Sequence, residues 1–304
     1  MRILLTGTSG QVGGALRPLL AAQGTILTPS SAEFDLSKPE ALAERLEDLA
    51  PDLIVNPAAY TAVDRAEEQR ELAFLINAKA PEVIAQWAAK HGVPLVHFST
   101  DYVFDGSGDT PRREDSPTGP MSVYGASKLA GDMAIMASGG PHLIARTSWV
   151  YAAKGTNFLR TIARLASERK ELRIVADQFG APTTARAIAD AVADIVLPNL
   201  LNLNDLFGRK GGVVNLVCAG EASWHQFACT IVEGLKYRGF ELKVEAIVPI
   251  ATADFPTKAK RPGNSRLDLF RLRDEFGVFM PRWQDALAPE LDDFVVAGGA
   301  SSAR

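Results

Sequence analysis

Apolar positions in the first half of the chain fall into short runs, separated by stretches whose apolar residues recur at helical spacing. The runs Arg2–Thr6, Thr25–Thr28, Asp52–Asn56, Leu95–Ser99 and His142–Thr147 predict strands. Gln11–Gln23, Pro39–Leu49, Asp64–Lys90 and Val123–Met136 predict the helices between them. This alternation predicts βαβ units and an α/β class of fold, a doubly wound parallel sheet of Rossmann-like type with helices on both faces. Ser37, Pro39 and Glu40 have the spacing of a capping box with proline in the first turn.

After about Tyr151 the rhythm changes. Asn157–Ala166 predicts a helix, Leu172–Val175 a strand, and Asp177–Thr183 a loop bearing Gly and Pro. Ala185–Leu197 predicts another helix, Val213–Val217 a strand, and Trp224–Arg238 a helix. A loop rich in Pro, Lys and Arg follows at Asp254–Asn264, and the small, polar tail Ala297–Arg304 is expected to fray. The expected division places residues 1–150 and about 181–217 in a first part, and about 151–180 with 218–304 in a smaller α/β part.

Composition narrows the functional classes. Of 304 residues, 47% are hydrophobic and 22% charged, the profile of a globular chain with a sizeable core. A net charge of −4 leaves no broad basic surface, so nucleic acid is not an expected partner. No stretch approaches the roughly 18 apolar residues of a membrane span, and no secretory leader pattern opens the chain. A cytoplasmic protein with no membrane partner is expected. Cys218 and Cys229 have neither disulfide-framework nor metal-ligand spacing and read as core residues.

Directly after the first strand comes Gly7-Thr8-Ser9-Gly10-Gln11-Val12-Gly13. Three glycines between a strand and a helix allow a tight turn, close backbone approach to a diphosphate and close helix–sheet contact. The helix N-terminus then offers backbone N–H groups and a positive dipole end to the anion. The second strand would end at Pro29-Ser30-Ser31, with neither an acid to bind the ribose of NAD nor an Arg to bind a 2′-phosphate. NADPH and NADH both remain open as the cofactor. Asp35 lies close enough behind to reach the adenine, or is a surface acid before a helix.

Tyr124-Gly125-Ala126-Ser127-Lys128 opens a helix, which stacks Tyr124 and Lys128 on one face. A phenol titrates near pH 10, and an ammonium one turn away is expected to lower that value. The phenol would then protonate the oxygen formed when hydride reaches a carbonyl carbon, with Lys128 holding the nicotinamide ribose. Thr100, at the carboxyl end of its strand, is placed to hydrogen-bond the same oxygen.

These features, with Asn56-Pro57-Ala58-Ala59-Tyr60-Thr61, Ser99-Thr100-Asp101-Tyr102-Val103-Phe104, Arg146-Thr147-Ser148-Trp149-Val150-Tyr151 and Arg261-Pro262-Gly263-Asn264-Ser265, resemble the extended short-chain dehydrogenase/reductase family through almost the whole chain. The Trp149 and Arg261 stretches are more specific than the glycine loop. The resemblance implies reduction of the 4-keto group of dTDP-4-dehydro-6-deoxy-L-mannose to dTDP-L-rhamnose. It makes the first part dinucleotide-binding and the second substrate-binding. It implies Tyr124 as proton donor, Lys128 as its modulator and Thr100 as the group orienting the carbonyl. Gly7, Gly10, Gln11, Val12 and Gly13 would meet the cofactor diphosphate, Asp35 and Leu36 the adenosine, and Ala59, Tyr60 and Thr61 the cofactor at the third strand. Thr100, Asp101, Trp149 and Arg261 would contact the sugar nucleotide, although Lys258, Lys260 and Arg261 also read as a solvated loop.

Two departures stand out. Pro57 replaces a small residue usual in relatives, and it lacks an N–H. Some members share magnesium between subunits, but the matching positions here are Ala15 and Arg186, so no bound magnesium is expected. A monomer or weak homodimer follows. The rivals are a nucleotide-sugar epimerase or dehydratase of the same family, or a non-catalytic regulatory subunit with this fold. Dehydratases usually carry glutamate where Tyr102 stands, and the intact Tyr124, Lys128 and Thr100 oppose a loss of catalysis.

Overall fold

The computed structural model describes residues 1–299. Six strands form one parallel sheet: β1 (Arg2–Leu5), β2 (Thr25–Leu27), β3 (Leu53–Asn56), β4 (Leu95–Thr100), β5 (His142–Thr147) and an edge strand, Gly212–Asn215. Their order is Gly212–Asn215, β5, β4, β3, β1, β2. Ile3 and Leu5 point to one face, where Leu16, Ile188 and Val192 cover them. Leu4 points to the other, among Leu46, Ile54, Ile84 and Ile144. Burial on both faces is why these strands read as unbroken apolar runs. Each such buried side chain contributes about 2 kcal/mol. The doubly wound parallel sheet expected from the sequence is the one observed.

The chain lays β2 on one side of β1 and then crosses to lay β3 on the other. Such a reversal opens a crevice at the carboxyl ends of β1 and β3, where open α/β sheets bind ligands.

The stretch Asp64–Lys90 is not the single helix that its periodicity predicts. It divides into Val63–Ala66, Arg70–Phe74, a π-helical turn at Leu75–Lys79 and the helix Ala80–His91. The cause is Asn77, a buried amide inside the π turn. Its Oδ1 accepts from the Tyr60 N–H at 2.8 Å, and its Nδ2 donates to the Tyr60 carbonyl at 3.0 Å and to Ser127 Oγ at 3.0 Å. An amide turned inward to serve a neighbouring loop displaces the helical ladder by one residue. Gly131 lets the Val123–Ala137 helix close on this turn, since a Cβ there would lie 2.1 Å from the Asn77 carbonyl oxygen.

A second core gathers Tyr151, Leu159, Ile162, Phe227, Ile231 and Leu287. It holds the helices Phe158–Glu168, Trp224–Tyr237 and Trp283–Gly299 beside a parallel pair, Glu171–Val175 with Ala246–Ile250. Ser223 and Gln226 form the capping box of the Trp224 helix. The expected box at Ser37 and Glu40 is not formed: Ser37 Oγ donates to Asp35 Oδ1 at 2.7 Å, and the turn that follows has no side-chain cap. Ala297–Gly299 continue the last helix rather than fray, and residues 300–304 of the expected tail lie outside the described residues. No helix among the described residues is long and apolar enough to cross a membrane.

Candidate active site

The glycine loop lies at the reversal. Gly7 has φ 58°, the left-handed region that suits glycine, and its carbonyl accepts from the Gly10 N–H at 2.9 Å. A Cβ on Gly13 would lie 2.3 Å from the same carbonyl oxygen, so the helix Gln11–Ala21 can approach only without a side chain there. Gly10 caps this helix with no side chain, which leaves the first-turn N–H groups to an anion. The cradle therefore fits a dinucleotide diphosphate. Val12 packs partly into the core, and the Gln11 amide oxygen accepts from Asn157 at 2.8 Å. Pro57 follows the last residue of β3, where no ladder bond needs its missing N–H. Ala59, Tyr60 and Thr61 come next, fixed by the two Asn77 bonds to Tyr60.

On the far side of the crevice, Asp35 accepts from the Ser37 N–H and hydroxyl, which with Lys38 hold its carboxyl below the usual range. The Leu36 side chain is buried among Leu42, Leu46 and Ile54, so only its backbone faces outward.

β4 ends in Ser99 and Thr100, and the helix Val123–Ala137 starts beside it, capped by Ser122. A Cβ on Gly125 would lie 2.2 Å from the Tyr102 carbonyl oxygen, so glycine is what brings Tyr124 close to β4. The Tyr124 ring meets Tyr102 edge-on at 5.5 Å, with Thr100 beside its hydroxyl. Lys128 turns away from the phenol: its Nζ donates to the Phe98 carbonyl at 2.6 Å and lies 3.1 Å from His97 Nε2.

This geometry changes the expected electrostatics. Burial pushes the Tyr124 phenol up, and the neighbouring Thr100 hydroxyl offsets only part of that rise. Burial lowers Lys128 to about 8, with Asp132 pulling the other way. The expected lowering of the phenol by the ammonium is absent because desolvation outweighs it and Lys128 faces β4. Asp101, 2% exposed, is raised to about 7 by burial, against hydrogen bonds from Ser265 and Thr100. Its Oδ2 has no partner, which leaves an acceptor or a proton for a ligand.

Trp149 follows β5 with φ 48°, uncommon for a bulky residue, and its ring stacks on Trp224 at 3.5 Å. Gly180 makes room for it, since a Cβ there would lie 2.8 Å from the indole. Arg261 is not free in solvent. It donates to Asp64 Oδ2 at 2.6 Å and to the Tyr102 hydroxyl at 3.2 Å. Lys258 pairs with Glu68, so the 254–264 loop straps onto the segment after β3.

Thr100, Asp101, Tyr124 and Lys128 thus converge at the end of β4, with the glycine cradle two strands away and Arg261 held against Tyr102. Sequence reasoning missed Asn77, His97, Asp132, Ser265 and Trp224. Asp132 had a signal, being one turn beyond Lys128 on the Tyr124 face. His97 had another, a polar residue between apolar neighbours in its strand. At the position matched to a family metal ligand, Arg186 pairs instead with Glu290 and Asp293.

Residues 1–296 match the family described as the RmlD substrate binding domain. The chain is 46% identical over 289 residues to the dTDP-4-dehydrorhamnose reductase of Burkholderia thailandensis, covering 94% of this chain and 97% of that one. The solved dTDP-4-dehydrorhamnose reductase of Clostridium acetobutylicum superposes with a TM-score of 0.86 at 33% identity, covering 96% and 99% of the two chains. That of Bacillus anthracis, in complex with NADP, gives 0.84 at 31% identity, covering 97% and 99%. The chain belongs to the RmlD substrate binding domain family, the family of the dTDP-4-dehydrorhamnose reductases.

Proposed function

We propose that this chain is an NAD(P)H-dependent oxidoreductase that reduces the 4-keto group of dTDP-4-dehydro-6-deoxy-L-mannose to dTDP-L-rhamnose, with Tyr124 as proton donor. The observation that carries the reading is a half-buried phenol beside Thr100 at the carboxyl end of β4, one helical turn before the buried Lys128. A reduced nicotinamide, when bound, supplies the hydride that the carbonyl carbon receives.

The chain supplies the rest. Gly7, Gly10, Gln11, Val12 and Gly13 hold the diphosphate, Asp35 and the Leu36 backbone the adenosine, and Ala59, Tyr60 and Thr61 the inner part of the dinucleotide. Lys128 holds the ribose with an N–H not given to the Phe98 carbonyl. A phenol pushed upward keeps its proton until an alkoxide of higher basicity forms, which suits an acid in the reducing direction. Thr100 and Asp101 align the carbonyl oxygen. Trp149 offers an apolar wall, and Arg261 has N–H groups beyond those given to Asp64 and Tyr102 for the substrate diphosphate. A dehydratase would need a second carboxyl beside Asp101, and position 102 holds a tyrosine instead.

The test supplies enzymatically made dTDP-4-dehydrorhamnose with NADPH and NADH in parallel and follows nicotinamide absorbance. Oxidation of either supports the reading and ranks the cofactors, whereas oxidation of neither ends it. The same reading places the enzyme in the cytoplasm as a monomer or weak homodimer, which sedimentation across a concentration series would show.

A further inference from the structure

A chain of buried polar groups runs beneath the site across three strands. The Ala58 N–H donates to Thr6 Oγ1 at 3.3 Å, and Thr6 Oγ1 donates to Asn56 Oδ1 at 2.6 Å. Asn56 Nδ2 lies 3.2 Å from His97 Nδ1, and His97 Nε2 lies 3.1 Å from Lys128 Nζ. Thr6, Asn56, His97 and Lys128 are all buried, so each hydrogen bond is made inside the protein.

The orientation of the Asn56 amide gives this chain a direction. Its Oδ1 accepts from the Thr6 hydroxyl, whose own lone pairs take the Ala58 N–H. The amide nitrogen of Asn56 then faces His97, whose Nδ1 must accept. A neutral imidazole that accepts at Nδ1 carries its proton on Nε2, aimed at Lys128. Burial keeps His97 neutral by pushing its pKa well below the ordinary value.

We propose that His97 is a positioning residue that, oriented by Thr6 and Asn56, presents an N–H to Lys128 and weakens the lysine's hold on its last proton. The ammonium loses an acceptor and the amine gains a donor. Lys128 thereby becomes a proton source near neutral pH for the site that Tyr124 drains at each turnover. The consequence for Tyr124 rests on the reductase reading; the effect on Lys128 does not. Other titratable groups around the lysine are Tyr124 and Asp132 on its own helix, Asp101 after β4, and Arg146 on β5, which pairs with Asp132 at 3.4 Å.

The test is an NMR titration of the Lys128 ε-methylene in the full chain, its resonance identified by loss in Lys128→Met. Thr6→Val removes the oriented hydroxyl, frees the Asn56 amide to turn, and lets His97 accept from the ammonium. His97→Gln can place an amide oxygen near Nε2. Each should raise the lysine midpoint by about one pH unit, a tenfold tighter proton, while Thr6→Ser leaves it at the wild-type value. The alkaline limb of kcat should move the same way. A midpoint that stays or falls in both variants overturns the proposal, and a shift in His97→Gln alone overturns the part given to Thr6 and Asn56. If Thr6→Val does not fold, His97→Gln and Asn56→Leu decide, both expected to raise the midpoint. Failure of the wild type to oxidise NAD(P)H would end the reductase reading and leave the titration standing.

Discussion

At the end of β4, Thr100, Asp101 and Lys128 are buried and Tyr124 is half-buried; Thr100 bonds Asp101, Lys128 bonds the Phe98 carbonyl, and few counter-charges support them. The 254–264 loop reaches the same place from the other end of the sequence, but through partly exposed ion pairs: Arg261 with Asp64 and Lys258 with Glu68. Burial moves the first set far from ordinary titration, raising Tyr124 and Asp101 and lowering Lys128. The ion pairs stay near water, where attraction is screened and each exposed pair contributes about 0–1 kcal/mol. The lesson is a division of labour. The groups proposed to exchange protons are desolvated, while the 254–264 loop beside them is held by contacts that break cheaply.

Four substitutions would break or sharpen that contrast. The largest effect is expected from Tyr124→Phe, which removes the acid but keeps the ring against Tyr102. Turnover should fall by about 10²–10⁴-fold with nicotinamide binding, followed by fluorescence, nearly unchanged. Retained turnover would remove Tyr124 as acid.

Asp101→Asn should come next, and its effect depends on pH. Asp101 keeps its proton in the folded state up to about 7, whereas the unfolded chain releases it near the ordinary carboxyl value of 3.8. A carboxyl raised in this way lowers stability as pH climbs from the unfolded to the folded value. The amide variant should therefore melt several degrees higher than wild type at pH 8 and about equally at pH 4. Equal differences at both pH values would show that Asp101 is not held protonated.

Arg261→Ala should lower kcat/KM about tenfold, mainly through KM, because it frees Tyr102 and Asp64 and removes the proposed diphosphate partner. An unchanged KM would confine Arg261 to structure. Lys258→Ala should have the smallest effect, below about 1 kcal/mol in thermal unfolding and vanishing in high salt. A larger, salt-insensitive loss would move the loop to the buried side of the contrast.

The same contrast explains what could be read in advance. β1, β3, β4 and β5 are legible because burial on two faces leaves apolar runs, and the glycine loop because its neighbours in sequence are its neighbours in space. Tyr124 and Lys128 are legible as one turn of helix, but where the ammonium points is not, since Phe98 and His97 belong to another strand. Periodicity also ran straight through Asn77, because a π turn changes the ladder and not the apolar pattern. Arg261 read equally as a diphosphate partner and as a solvated cation because Asp64, the partner that orders it, is almost two hundred positions earlier. Ser37 had capping spacing, yet Asp35, two residues away, offered a nearer acceptor.

One feature of the turn after β5 reaches beyond mechanism. Trp149 holds a left-handed backbone that favours glycine and costs other residues about 1–2 kcal/mol. Heat resistance and turnover should therefore select in opposite directions at this position. A randomised library screened only for survival at high temperature should drift toward glycine or asparagine at 149, whereas one screened for product should retain the indole. Recovery of tryptophan from both screens would show that stacking on Trp224 outweighs the strain of the turn.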